Sequence, residues 1–245
     1  CPSEFYVASM NVAARQSKQP EIEKLLGNAR ARGIQLLPPD VNQGGALFEP
    51  AGVSSIRYGL TGLKGGGEAP VAAIVRAREE QGKFTSLFDF FRKVGRGTAS
   101  KGAVENMIRA GAFDSINPNR AAQFASVPAG VKYASDLAKE NAEKGSVVDA
   151  GLFGDAAPVK GKGRAKKPFQ AVEPSLEVLP DWSDREKLEQ ERKAIGFYFS
   201  AHPFDVYARQ LQGIPGSVPL SRVDEMDPQE KRSVLVAGLI SAVKP

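Results

Sequence analysis

Three apolar runs between residues 71 and 108 place the strongest limit on the fold of this chain. Each run has helical spacing, and short turns that contain glycine separate it from the next. The runs are Val71, Ile74 and Val75, then Leu87, Phe88, Phe91 and Val94, then Val104, Met107 and Ile108. Short turns make successive helices neighbours in space. The pattern therefore predicts a compact unit of packed helices.

The flanking sequence extends this helical pattern and adds a little β structure. Pro20–Gly33 has the apolar spacing and the terminal residues of a helix, whereas Ile34–Leu37 and Ser55–Leu60 are typical of short strands. A further helix is predicted to begin at Asn117. We expect it to break at Pro128 and the helical region to end by residue 145. The predicted fold class is mainly α, within the α+β class.

The second half of the sequence changes character. Residues 146–180 are poor in apolar side chains and rich in lysine, glycine, alanine and proline, which predicts a flexible basic linker. Ser183 and Glu186 have the spacing of a capping box and begin a charged helix. Ser233–Val243 alternates like a strand. Because the sequence does not begin with methionine and stops just after that strand, we expect a piece of a longer protein.

Composition narrows the possible classes of function. The net charge of +5 and the isoelectric point near 9.3 suit a polyanionic partner, although many other proteins share them. One cysteine and one histidine predict neither an internal disulfide nor a zinc site. No apolar stretch reaches the length of a membrane helix, and no signal peptide is present. We expect a cytoplasmic protein with no membrane partner.

Glycine turns supply the candidate functional site. Leu60–Ala69 carries one such turn into a helix, and Gly95–Gly97 carries a second, in the layout of tandem helix-hairpin-helix elements. Successive backbone N–H groups at such a turn can bind a DNA phosphate without reading the sequence. The candidate DNA-binding residues are Lys64, Gly65, Gly66, Gly67, Arg96, Gly97, Ser100 and Lys101. An ordinary turn between helices is the alternative.

A phenylalanine stripe lies between the two glycine turns. Phe84, Phe88, Phe90 and Phe91 have helical spacing. We predict that these rings form core rather than a stacking platform for bases.

Four segments resemble one protein family. They are Leu37–Asn42, Ile56–Leu60, Ile108–Asp114 and Ala194–Pro203. In this order they are similar to signatures of the alpha (polymerase) subunit of bacterial DNA polymerase III. Gly66 stands where the family commonly has an apolar residue, so the resemblance implies a softer first hairpin.

The resemblance also implies a division of the chain. The implied parts are the end of the fingers region (1–51), the tandem helix-hairpin-helix DNA-binding unit (52–116), a helical extension (117–145), the flexible linker with a clamp-binding peptide (146–180), a helical linker (181–232) and the first strand of a truncated OB-fold (233–245). The implied partners are double-stranded primer-template DNA, the beta sliding clamp and, through the parent protein, other polymerase III holoenzyme subunits.

The clamp-binding peptide falls on Asp149, Gly151, Leu152 and Phe153. Two adjacent large apolar residues in a flexible segment suit a preformed groove on a partner. Asp149 replaces the glutamine expected from the family, which removes an amide donor and adds a negative charge. The alternative is that Leu152 and Phe153 pack back on this chain.

No catalytic residue is assigned. Polymerases hold two Mg²⁺ ions with clustered carboxylates, whereas the aspartates here are scattered and are expected to be solvated surface groups: Asp40, Asp89, Asp114, Asp149, Asp181 and Asp184. The expectation is no cofactor in this piece and Mg²⁺ for the parent DNA polymerase. The alternatives are the same region of the error-prone sister polymerase and a free-standing helix-hairpin-helix DNA-binding module.

Overall fold

A computed structural model describes residues 2–16, 18–152 and 171–201, together with residues 214, 218, 233, 235 and 236. The helices in this part of the chain are α1 (Pro2–Arg15), α2 (Gln19–Ala31), α3 (Glu68–Gln81), α4 (Leu87–Val94), α5 (Lys101–Arg109), α6 (Arg120–Leu152) and α7 (Asp184–Ile195), with a 3-10 turn at Leu60–Gly62. The strands are β1 (Gln35–Leu37), β2 (Glu49–Pro50) and β3 (Ser55–Arg57). The predicted mainly α, α+β class is confirmed. Within the described ranges, no helix has the length and apolar character needed to cross a membrane.

The N-terminal part combines two helices with a small sheet. Pro20 lies in the first turn of α2, and Gly33, with φ of +76°, follows its end. The sheet has the order β1-β3-β2, in which β1 pairs with β3 in parallel and β2 pairs with β3 antiparallel. Pro38 follows β1 and ends it, because proline cannot donate a hydrogen bond to a neighbouring strand. The two predicted short strands are therefore neighbours in one sheet.

The helical unit α3 to α5 has an aromatic core. The side chains of the predicted phenylalanine stripe are all buried. The ring of Phe90 lies edge-on to Phe84 and to Phe113, with centroids 5.1 and 5.0 Å apart. Such edge-to-face pairs add to the stability that apolar burial provides. The prediction that the stripe forms core is confirmed.

Helix α6 differs from its prediction, since it runs through Pro128 and continues to Leu152. Proline removes one helical hydrogen bond and normally breaks or kinks a helix. Here packing on α4 keeps the helix continuous: Val127 is fully buried, and a Cβ built on Gly130 would lie 2.2 Å from the ring of Phe91. The predicted break at Pro128 and the predicted end near residue 145 were therefore wrong.

The predicted flexible linker, 146–180, also needs correction, since residues 146–152 belong to α6 by their backbone. Residues 171–180 are extended and lie along α6, where Ser126 Oγ accepts a hydrogen bond from Glu177 N at 2.9 Å and Asn119 Nδ2 donates one to Leu179 O at 2.8 Å. Side chains on α6 and directly before it thus satisfy backbone groups of the segment. The part of the predicted linker at 153–170 lies outside the described residues.

The predicted capping box of α7 is confirmed. Ser183 accepts a hydrogen bond from the backbone N–H of Glu186, whose carboxylate accepts one from Ser183 N in return. The hydrogen bonds that Ser183 donates to this carboxylate, from its backbone N–H and its hydroxyl, lower the pKa of Glu186. Of the predicted OB-fold strand, the structure describes only residues 233, 235 and 236, and Leu235 O accepts a hydrogen bond from Val218 N at 3.0 Å.

Candidate nucleic-acid interface

The first glycine hairpin joins the 3-10 turn to α3. Gly65 has φ of +83°, a left-handed conformation that favours glycine, and Gly66 N donates to Leu63 O at 2.9 Å. Gly67 occupies the N-cap of α3, and no side chain caps the helix there. The first N–H groups of α3 can therefore donate hydrogen bonds to an anion. Glu68 adds a carboxylate to that turn, which repels an anion. Electrostatic attraction of an anion therefore has to come from exposed Lys64.

Gly66 is required by close backbone approach. A Cβ at this position would lie 2.3 Å from the carbonyl oxygen of Leu60, well inside van der Waals contact. Gly66 is itself buried. The glycine that departs from the family pattern is thus the residue that this hairpin conformation needs.

The second hairpin joins α4 to α5. Gly95 and Gly97 both have left-handed φ values, of +82° and +78°. Ser100 caps α5, because its Oγ accepts a hydrogen bond from Ala103 N at 3.2 Å, and its O–H can still donate to a phosphate oxygen. Arg96 is exposed, whereas Lys101 lies 3.6 Å from Glu105, one turn along α5. Arg96 therefore lies in the turn before α5, and Lys101 is the first residue of that helix.

The two hairpins meet. A Cβ on Gly65 would lie 3.4 Å from Ala103 Cα, so the first turn rests against the first turn of α5. The Asn106 side chain, one turn further along α5, donates to Lys64 O at 2.8 Å. The structure therefore brings predicted residues from both hairpins, Lys64 and Gly65 with Ser100 and Lys101, to one end of the helical unit.

Helix α7 adds basic residues that the sequence did not point to. Lys64 N donates to Ala194 O at 3.0 Å, which ties the first hairpin to the last turn of α7. Between them lies an open cleft of about 460 Å³, which we call the α7 cleft. It is lined by Lys64, Glu189, Arg192, Lys193, Gly196 and Tyr198. The sequence predicts a charged helix here, but the spacing of its residues does not indicate where on the fold the helix packs.

A buried ionic cluster holds α7 in place. Glu191 is buried and accepts a hydrogen bond from Arg120 at 3.2 Å, and Arg120 also pairs with Asp114 at 2.7 Å. Burial opposes the charge of Arg120, but the two carboxylates outweigh it and raise the pKa. Because removing one partner from such a cluster leaves a buried charge unpaired, the position of α7 is strongly specified.

Two aspartates that were expected to be solvated are buried instead. Asp40 accepts hydrogen bonds from Asn42 N at 2.6 Å and from Ser115 Oγ at 3.1 Å, so it organises a turn. Asp89 is buried near the start of α4. Its burial favours the neutral acid, but hydrogen bonds from Lys93, Thr85 and Arg92 outweigh that and lower its pKa to about 2.

Among the described residues, no group of three or more potential ligands could hold a metal ion.

The predicted clamp-binding residues lie at the edge of the part of the chain that the structure describes. Of the predicted clamp-binding residues, Asp149, Gly151 and Leu152 belong to the last turns of α6 by their backbone. Phe153 lies outside the described residues.

Comparison with known proteins identifies the relatives of this chain. The helix-hairpin-helix motif family matches residues 33–123. DNA polymerase III subunit alpha from Neisseria meningitidis serogroup B is 38% identical over 99% of this chain, and the proteins of that name from Vibrio cholerae and Escherichia coli K12 are 32% and 31% identical over the same share. The chain spans 19 to 20% of the length of these three relatives.

Proposed function

Because this chain is homologous over 99% of its length to one region of DNA polymerase III subunit alpha, we propose that it is the part of a replicative DNA-directed DNA polymerase that holds duplex DNA. The similarity extends on both sides of the matched helix-hairpin-helix residues, 33–123. This extent favours an alpha-subunit region over a free-standing DNA-binding module.

The observation that carries the proposal is the meeting of the two glycine hairpins at one end of the helical unit. The start of α3 has no side-chain cap and follows Lys64 in the hairpin, whereas the start of α5 is capped by Ser100 and begins with Lys101. N–H groups at a helix N-terminus attract phosphate, and phosphate contacts carry no base information. The chain therefore binds both strands of a duplex with little sequence preference.

Nucleotide transfer belongs to the parent protein in this proposal. No residue of this chain is assigned a catalytic role, and the carboxylates that bind Mg²⁺ for in-line phosphoryl transfer lie outside it. The chain contributes binding energy, which keeps the product duplex close to the polymerase site. We place the parent in the cytoplasm with the other holoenzyme subunits.

The same proposal includes docking of the beta sliding clamp through residues 149–153. Its support is the resemblance to the family peptide and the pair Leu152 and Phe153, which stands before a basic stretch rich in glycine. Large apolar anchors bury well in a groove on a partner. Asp149 is the residue at which this peptide departs from the family pattern.

Fluorescence anisotropy with labelled duplexes tests the DNA-binding proposal. The 245-residue chain should bind two duplexes of unrelated sequence with similar affinity, and the affinity should fall steeply as salt rises. Lys64→Ala and Lys101→Ala should each reduce the slope of log K against log salt by about one unit. Lys132→Ala, an exposed lysine of α6, is the control that should leave the slope unchanged. Binding that is strongly sequence-specific or insensitive to salt would refute the proposal.

A further inference from the structure

We propose that the α7 cleft binds a DNA backbone phosphate and so extends the duplex-binding surface from the first hairpin onto α7. This inference rests on the proposed duplex binding, but its evidence comes from a different helix. Lys64 of the first hairpin and Lys193 of α7 line the same cleft, although 129 positions separate them in the sequence. The proposal assigns DNA contacts to Arg192 and Lys193.

The charge of the α7 cleft suits an anion. Among the residues that the structure describes, three exposed cations line it, Lys64, Arg192 and Lys193, against one carboxylate, Glu189. Glu189 is paired with Arg185, one turn back on α7, at 3.3 Å. The cleft therefore keeps a positive balance, and its open shape admits a polymer backbone.

The end of α7 does not repel an anion as an uncapped helix C-terminus would. The carbonyl groups of a helix end carry partial negative charge. In α7, Ala194 O accepts the hydrogen bond from Lys64 N at 3.0 Å, Ile195 O accepts one from Gln19 Nε2 at 3.3 Å, and Arg192 O accepts one from Gly196 N at 2.8 Å. Because these carbonyls are already hydrogen-bonded, the side-chain cations dominate the field in the cleft.

The arrangement of Arg192 favours a phosphate over a base. Its guanidinium lies over the Tyr198 ring, with Cζ 5.5 Å from the ring centroid. One face of that ring is therefore covered by a cation and is not open to a base. A guanidinium stacked in this way keeps its N–H edge for bidentate contact with a phosphate.

The cleft is rigid on the α7 side. Glu191 accepts hydrogen bonds from Arg120 at 3.2 Å and from Ser200 N at 3.0 Å, which fixes both α7 and the segment after it. Arg192 and Lys193 follow Glu191 directly. Binding of a phosphate therefore requires ordering of two side chains and little movement of the backbone.

The test compares two double variants of the 245-residue chain in the duplex-binding salt series. Arg192→Gln with Lys193→Gln should reduce the slope by about two units, because two phosphate contacts are lost. Lys132→Gln with Lys139→Gln removes the same charge from the surface of α6 and should leave the slope unchanged. Circular dichroism melting checks that both variants fold, and Lys193→Gln alone, at an exposed side chain, should reduce the slope by about one unit.

The outcomes separate this inference from the proposed function. If the α7 double variant keeps the parent slope while Lys101→Ala still lowers it, the cleft does not bind DNA and the hairpins do. If neither lowers the slope, duplex binding through the hairpins also fails. If the α7 double variant loses binding of inorganic phosphate, measured by calorimetry, yet keeps the parent slope with DNA, the cleft is a site for small anions and the proposal is overturned.

Discussion

The side chain of Asn106 on α5 donates a hydrogen bond to the backbone carbonyl oxygen of Lys64 in the first hairpin, with 2.8 Å between Nδ2 and O. The Oδ1 of the same side chain accepts a hydrogen bond from Arg109 at 2.8 Å. Both ends of the amide are thus used. One residue of the second helix-hairpin-helix element fixes the position of the turn in the first.

Replacement of Asn106 by alanine should weaken duplex binding without a change of charge, because the turn that carries Lys64 loses its link to α5. The loss of the hydrogen bond should lower the free energy of unfolding by about 1 kcal/mol. Urea unfolding and anisotropy on the same preparation measure the two effects. A variant that loses stability but binds duplex as tightly as the parent would show that the turn is held without this bond.

Two glycines should respond in opposite directions to alanine. Gly66→Ala should destabilise the chain by about 1 to 3 kcal/mol and weaken DNA binding, since its Cβ would lie 2.3 Å from Leu60 O. Gly102→Ala is the matched control. It lies inside α5 with nothing within 4 Å of its built Cβ, so it should raise stability by up to about 1 kcal/mol. Equal stability of the two variants in urea would contradict the geometry of the first hairpin.

The fold could be predicted where the signal was local. Helical spacing located α3, α4 and α5, terminal residues located α2, and the Ser183 and Glu186 pair located the start of α7. The continuity of α6 through Pro128 could not be predicted, because it depends on packing of Gly130 against Phe91, a contact with a helix far away in sequence. No element was predicted at α1, although Tyr6, Met10 and Ala13 have helical spacing and are buried.

The candidate site also has parts that a local sequence signal predicts and parts that it does not. The glycine turns and their lysines could be found from composition and spacing. The α7 cleft could not, since the hydrogen bond between Lys64 N and Ala194 O joins parts of the chain that no local pattern relates. The burial of Asp89 was missed because its partners, Arg92 and Lys93, read as ordinary surface charges of an amphipathic helix.

Acid should destabilise the chain partly through Asp89. Its pKa is lowered in the folded state to about 2, below its ordinary value, so its contribution to stability is complete above about pH 4 and is lost as the pH falls through about 2. Urea unfolding at pH 5 and pH 2.5 measures the change. Asp89→Asn should reduce stability at pH 5 and flatten its fall. Glu23→Gln, at an exposed position on α2, is the control and should change stability at pH 5 by less than about 0.5 kcal/mol. An unchanged profile for Asp89→Asn would contradict the assigned role of the ion pairs.

Two glutamates on α7 should separate stability from DNA binding. Glu191→Ala should cost about 3 kcal/mol, because Arg120 loses a partner inside the protein. Glu189→Ala should change stability by less than about 0.5 kcal/mol, as expected for a surface ion pair. It should strengthen duplex binding, because it removes a carboxylate that lines the α7 cleft. Thermal melting and the salt series distinguish the two. Weaker DNA binding by the Glu189 variant would count against the cleft as a phosphate site.

The proposed docking of the sliding clamp predicts a different effect for substitutions at each end of residues 149–153. Leu152→Ala with Phe153→Ala should abolish binding of the cognate sliding clamp, because the two large apolar side chains are the anchors that a groove would bury. Duplex binding should persist, since the glycine hairpins lie in a different part of the sequence. Asp149→Gln should strengthen the interaction by restoring an amide donor and removing a negative charge. Calorimetry with the purified clamp measures all three variants. If the double alanine variant binds the clamp as well as the parent chain does, then Leu152 and Phe153 are not the anchors, and contact with the clamp has to come from another surface.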